Sequence, residues 1–314
     1  MANILNNSDA GYHIGTMCLI YRVLRRASKP LTTEGLTELC APSTLSRRSD
    51  HPKKFPQTLT FWQHEAHCLW QKHSDSTLTL LDRSTSPEPG PREIADIVRR
   101  ALFAKEIPDI TVKIRSKGTR DQSPPNHIEP LLLQSAALLA SGLYLPFKGD
   151  PFRQANISSF TVKHLEDRHT LNDSELAPLI SWLLFLGFME IQSGEYWLDP
   201  TRAVGHAITE ILKPKQPMDI RKFMEKLGKQ LPVIDGGIYQ LQAASVMASK
   251  GWSYDYHTAV SPALSHAFNR LQVANIVKFT AKSDDPDAIQ LIQPQTNKKS
   301  LISQITLLRS NVNA

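Results

Sequence analysis

Residues 264–279 read Leu-Ser-His-Ala-Phe-Asn-Arg-Leu-Gln-Val-Ala-Asn-Ile-Val-Lys-Phe, and two periods meet inside them. Leu264, Phe268 and Leu271 recur at intervals of four and three, the spacing of one helix face. The β-branched run Ile276-Val277-Lys278-Phe279 suits a strand better than a helix. A polar turn, Lys282 to Asp287, and a returning strand, Ala288 to Ile292, follow. Upstream, Ser261-Pro262 sets a capping serine before a proline at the first helical position. Ile238 to Lys250 reads as an earlier helix ended by Gly251, and Asp219 caps another that runs to about Leu231.

This order resembles that of winged-helix proteins, with Ser261 to Ile292 in the place of the recognition helix and wing. Two other stretches repeat it more loosely. In the first, helices are expected over Thr16 to Ala27, Thr33 to Cys40 and about Gln57 to Lys72, then a strand over Thr77 to Leu81. A helix over Arg92 to Ala104 and a strand over Ile110 to Ile114 either extend it or bridge to the next. In the second, helices over Ile128 to Leu143 and Glu175 to Gly187 precede a hairpin around Ser193-Gly194, and Asp199-Pro200 opens another helix. The expected fold is mainly α with small β-hairpins (α+β), as tandem winged-helix (helix-turn-helix) domains. Its parts are residues 1–115 with an added helix, an acidic 126–214 and a basic 215–314. Proline-bearing Ser84 to Pro91 and Lys117 to Asn126 read as linkers.

The net charge of +6 is modest, and its distribution says more than its size. Residues 1–86 carry 10 basic and 7 acidic side chains, residues 126–214 carry 6 and 10, and residues 215–314 carry 12 and 7. A polyanion would be drawn to the ends and repelled by the middle. The first residues lack the basic start and long apolar centre of a secretory signal, and no apolar run is long enough for a membrane span. The three cysteines, Cys18, Cys40 and Cys68, are expected as reduced thiols in a cytoplasmic protein.

With Leu264, Phe268 and Leu271 inward, the opposite helix face presents Ser265, His266, Asn269, Arg270 and Gln272, side chains able to reach base edges or phosphates. Lys278 and Lys282 flank the expected wing and suit phosphate contact. Any exposed helix face is polar, however, and Asp284, Asp285 and Asp287 on the same wing would repel a backbone. In the first stretch Arg47, Arg48, His51, Lys53 and Lys54 form a basic loop before the third helix, either solvated or touching phosphates. Arg22, Arg25, Arg26, Arg99 and Arg100 are placed to extend it.

His64, His67 and Cys68 lie within one helical turn, with Cys40 and His73 as conceivable further ligands. The spacing is not that of the two-histidine zinc proteases, and packing of Cys68 with a histidine rim accounts for the same residues. No metal or cofactor is expected. Phosphate-cradling glycine loops and nucleophile elbows are absent from the sequence, so no enzyme activity is expected. His164 and His169 beside Glu166-Asp167 read as a polar helix face. Trp182, Phe185, Phe188, Tyr196 and Trp197 read mostly as core, with any exposed member free to bind protein.

Ala2-Asn-Ile-Leu-Asn6, Leu39-Cys-Ala-Pro-Ser43 and Leu198-Asp-Pro-Thr-Arg-Ala-Val204 after a Leu-Gly-Phe helix end together resemble a known family. It is the G accessory protein of bacterial gene clusters that place 7-deazaguanine derivatives in DNA. The resemblance implies no catalytic motif. The expectation is a non-enzymatic, cytoplasmic adaptor that binds double-stranded DNA within a prokaryotic DNA-modification or anti-phage defence assembly. A winged-helix scaffold that binds only protein, and a transcription regulator, stand as alternatives.

Overall fold

The computed structural model describes residues 4–5, 13–42, 51–64, 67–111, 128–141, 154–165, 171, 173–252, 258–292 and 299–309. The chain forms two compact units. The first takes Met1–Ile107, Arg120–Leu131 and Asn172–Leu186, the second Pro108–Thr119, Leu132–Leu171 and Gly187–Ala314. Helices with small antiparallel sheets make up the described residues, the expected α+β class. No helix among them is long and apolar enough to cross a membrane.

In the first unit α1 (Ile14–Arg26) buries Met17, Ile20, Tyr21 and Leu24, one stripe of its 3.6-residue period. Next come β1 (Leu31–Thr32) and α2 (Thr33–Cys40), where the Thr32 hydroxyl accepts from the Gly35 N–H at 3.1 Å and caps the helix. α3 (His51–Phe61), β2 (Trp70–Lys72) and β3 (Thr77–Leu80) complete a three-stranded sheet in the order β1-β3-β2. Leu31 pairs with Leu78 and Trp70 with Leu80.

The third helix is shorter than its apolar spacing suggests. The backbone of Trp70–Lys72 is taken by pairing with Thr77–Leu80, so the chain turns after Phe61. The Trp70 indole N–H donates to the Leu59 carbonyl at 2.9 Å and ties strand to helix. α4 (Pro91–Phe103) packs against α7 (Asp173–Leu186), and the Arg99 guanidinium donates to the Leu186 carbonyl at 2.5 Å.

Of residues 84–91, expected as a linker, 84–90 are a strap laid along α1 and Pro91 opens α4. The Tyr21 hydroxyl donates to the Asp82 carbonyl at 3.0 Å and accepts from the Ser84 N–H at 2.9 Å. Arg25 donates to the Ser84 carbonyl, Arg22 to the Pro89 carbonyl, and Arg26 pairs with Glu88. Prolines offer no N–H but keep their carbonyl acceptors; the arginines of α1 find two strap carbonyls and one carboxylate.

α5 (Glu129–Ala140) begins in the first unit and continues in the second. There α6 (Gln154–Leu165) precedes the hairpin β4 (Met189–Gln192) and β5 (Glu195–Leu198). Its two-residue turn holds Ser193 at φ 52° and Gly194 at φ 80°, the left-handed pair that a tight hairpin demands. α8 (Thr201–Ile211), β6 (Pro217–Asp219), α9 (Ile220–Gln230), α10 (Ile238–Ala248), α11 (Pro262–Val273) and β7 (Val277–Thr280) follow. The Asp219 carboxylate accepts from the Arg221 and Lys222 N–H groups and caps α9. The turn into α10 needs glycine at 237, because a Cβ there would lie 2.4 Å from the Pro232 carbonyl oxygen.

The strand that returns beside β7 is not the expected one. β8 (Ile289–Ile292) pairs with β9 (Lys299–Ile302) as a separate hairpin, and β10 (Gln304–Leu307) closes the sheet β6-β10-β7. The two units therefore share an order: helix, strand, two helices, strand and a last strand that enters between the first two. The second unit adds α10 and the β8–β9 hairpin to it. Ile110 and Thr111 sit in a turn, and the rest of the strand expected over 110–114 lies outside the described residues.

Candidate nucleic-acid interface

The start of α11 is fixed from two sides. The Ser261 hydroxyl accepts from the Leu264 N–H, and the Ser261 N–H donates to the Asp235 carboxylate at 2.5 Å. Asp235 is buried, which pushes its carboxyl up to about 6 although Ser261 pulls the other way. Leu264, Phe268 and Leu271 point inward as expected, but the opposite face is not open.

β8 lies over it. Ser265 is fully buried; its hydroxyl donates to the Val260 carbonyl and accepts from the Ile292 N–H. The Asn269 amide donates to the Ser265 carbonyl at 2.8 Å and to the Ile292 carbonyl at 2.7 Å. The inserted hairpin thus consumes the side chains expected to meet base edges. That corrects the reading of Ser265 as exposed, and it places half-buried Asn269 in an internal network.

His266 and Arg270 are engaged by β4 and the turn before α8. The Arg270 guanidinium binds the Asp199 carboxylate and reaches Glu190 at 2.8 Å, while His266 Nε2 lies 3.3 Å from Asp199. Asp199 is 2% exposed and also accepts from the Thr201 N–H and hydroxyl. Burial pushes its carboxyl up, but His266, Thr201 and Arg270 outweigh that and hold it at about 2. For Arg270, burial opposes the charge, yet Asp199 and Glu190 hold its pKa above the usual value. A guanidinium between two carboxylates carries no net positive charge to a phosphate. Gln272 and Val273 remain exposed at the end of the helix.

Lys278 and Lys282 are exposed, in β7 and just beyond it. Lys282 belongs to a mixed cluster. The Ser303 hydroxyl first, and then the Asp287 N–H, hold the Asp285 carboxyl below its usual range, with Lys282 and Arg221 adding their charges. The Arg221 guanidinium also donates to the Asp287 carbonyl at 2.9 Å.

The corresponding helix of the first unit, α3, is arranged differently. Phe55, Thr58, Leu59 and Phe61 are buried, while Gln57 and Thr60 are exposed one turn apart. Lys54 is half-buried on the same helix, and Lys53 lies in its first turn. The strand edge beside it exposes Gln71, Lys72 and His73, whose ring nitrogen meets the Thr79 hydroxyl at 2.8 Å. Arg47 and Arg48 lie outside the described residues. The arginines placed to extend this patch are committed elsewhere: Arg22, Arg25 and Arg26 to the strap, Arg99 to Asp96 and Leu186, and Arg100 to Asp82.

The histidine and cysteine cluster has its own protein partners. Buried His67 places Nε2 3.0 Å from the Phe61 carbonyl and stacks on His64, while the Cys68 thiol donates to the Trp70 carbonyl. Burial pushes the Cys68 thiol up. No group of three metal-ligating side chains is found among the described residues. His164 is buried against Phe160, and burial lowers its pKa; Glu166, Asp167 and His169 lie outside the described residues. Trp182 and Phe188 are core, with Phe185, Tyr196 and Trp197 half-buried.

Sequence reasoning misses Glu190 and Asp199 as partners of α11, because they lie 80 and 71 residues before Arg270 and belong to other elements. It misses Gln57 and Thr60 because the third helix begins and ends earlier than expected. The signal is present in the apolar spacing of Phe55, Leu59 and Trp62.

A family model described as DpdG-like matches residues 2–285. The chain belongs to that family, in agreement with the resemblance to the G accessory protein of DNA-modification gene clusters. No curated protein and no solved structure matches the chain significantly.

Proposed function

We propose that this DpdG-like chain is a non-enzymatic DNA-binding adaptor of a prokaryotic DNA-modification or anti-phage defence system, working in the cytoplasm. Its two units are winged helices, and the one near the N-terminus meets the duplex. The observation that carries this reading is the contrast between the two third helices. α3 leaves Gln57 and Thr60 exposed beside Lys72 and His73, whereas α11 is covered by β8 and neutralised by Asp199 and Glu190. A third helix laid in the major groove reads bases through such amide and hydroxyl groups, while flanking cations hold phosphates. Lys53 and Lys54 supply charge on the helix itself, and Arg47 and Arg48 precede it in the sequence.

The adaptor role rests on the company that the family keeps and on the absence from the sequence of nucleotide-binding and nucleophile motifs. A full-length titration of a labelled duplex at several salt concentrations tests it. Binding whose log affinity falls with log salt by about 0.9 per phosphate contacted supports the reading. No duplex binding at low salt contradicts it.

One observation favours a scaffold that binds only protein. The covering of α11 removes the groove-reading element from the second unit, which leaves that unit to contact partners of a modification complex.

A further inference from the structure

We infer that the second unit touches DNA through the outer face of its sheet, at the Leu307 end of β10, and not through α11. This inference rests on the DNA-binding reading and locates a second contact within it. Four exposed cations, Lys213, Lys215, Lys278 and Arg309, flank that end. Along β7, Val277 is buried and Lys278 exposed, so the alternation of the strand turns Lys278 to the outer face. Lys278 pairs with Thr306 of β10, which pairs on its other side with exposed Pro217 of β6. Lys215 stands at the next rung, its N–H donating to the Leu307 carbonyl at 2.9 Å. Two residues earlier Lys213 is exposed, and exposed Arg309 follows Leu308, whose N–H donates to the Ile276 carbonyl at 2.8 Å.

Adjacent strands lie about 4.8 Å apart, so Lys278 and the β6 edge are about 10 Å apart across β10. Exposed cations at that spacing suit a duplex with one charge per about 1.7 Å of axis. Three described carboxylates near these strands are engaged by other groups. Asp219 is at the opposite end of β6 and caps α9, and Asp285 is held by Ser303 beyond the far end of β7. Glu210, one turn before Lys213, is bound by Gln230 and faces His206. Lys282 sits with the aspartates and is left out of the patch. Thr306 and Gln216 add polar groups between the cations. A duplex backbone could rest here without displacing β8 from α11.

The test is a salt series on the full chain with a labelled duplex. It compares the wild type with a variant that carries Lys213→Gln, Lys215→Gln, Lys278→Gln and Arg309→Gln. All four side chains are exposed, so circular dichroism and melting should match the wild type. If the variant no longer reaches four phosphates, the slope of log affinity against log salt falls by about 3 to 4, and a fall of about 2 or more supports the inference. An unchanged slope and affinity, with wild-type binding intact, overturns it and leaves the first unit as the DNA contact. A wild-type chain that binds no duplex overturns the functional reading itself. A variant that fails to fold is replaced by the pair Lys213→Gln and Arg309→Gln, for which half the fall in slope is expected and an unchanged slope overturns the inference.

Discussion

Arg270 and Asp199, 71 residues apart, form an ion pair in which the carboxylate is buried and the guanidinium is half-exposed. With Glu190 and His266 it fixes the end of α11 to the β4–β5 hairpin and the start of α8. Removing one partner of such a pair leaves a buried charge less well compensated, which costs far more than an exposed pair is worth.

Arg270→Ala should therefore destabilise the second unit by about 1–3 kcal/mol, discounted from the fully buried case because solvent reaches the guanidinium. Equilibrium urea unfolding measures it. A change below about 0.3 kcal/mol would show that the pair is incidental.

Asp199 and Asp235 give opposite pH dependences. The Asp199 carboxyl is held near 2 against an ordinary 3.8, so the folded state binds fewer protons there, and its contribution is present above about pH 4. That contribution, about 2 kcal/mol, is lost as pH falls from about 4 to about 2. Asp235 is raised from 3.8 to about 6, so the folded state holds a proton that the unfolded chain has released. Its contribution is present below about pH 4 and lost as pH rises to about 6.

Asp235→Asn keeps an acceptor for the Ser261 N–H and removes the proton. The wild type should lose about 2 kcal/mol relative to this variant between about pH 4.5 and 7. Parallel urea curves at the two pH values check it; an identical pH dependence in both proteins would contradict the assignment.

Gly237→Ala should destabilise by about 1–3 kcal/mol, because the added methyl meets Pro232 backbone that cannot rotate away. Gly90→Ala is the control, since a Cβ there meets nothing within 4 Å. Equal melting shifts for the two would refute the close approach.

Much of the second unit is legible in the sequence because its local signals agree. Asp219, Ser261-Pro262 and Gly251 mark helix ends, and Ser193-Gly194 marks a hairpin, each through chemistry within four residues. What is not legible depends on distance along the chain. The periodicity of 262–273 specifies a helix, but the polar pattern His266, Asn269 and Arg270 reads the same whether solvent, DNA or a hairpin covers it. β8 satisfies the apolar pattern of a wing strand and yet pairs with β9, since the sequence of a strand does not name its neighbour. The strap over 84–90 reads as a linker for a similar reason: Pro87 and Pro89 oppose regular structure, but not hydrogen bonds to Arg22 and Arg25.

Chelation offers a further check. With His67 directed to Phe61 and Cys68 to Trp70, EDTA should leave the melting temperature unchanged. A drop of several degrees would assign these side chains to a folding-coupled metal.

The central claim is that α3, and not α11, meets the duplex. Anisotropy titration of one labelled duplex, with Gln57→Ala/Thr60→Ala beside Asn269→Ala/Arg270→Ala at fixed salt, tests it most directly. The account predicts that the α3 pair weakens binding by about 1–3 kcal/mol for each base it no longer reads, with an unchanged circular dichroism spectrum. The α11 pair should lose stability while the protein that remains folded keeps wild-type affinity. Unchanged affinity for the α3 pair, together with weakened binding by the folded α11 variant, would contradict the account.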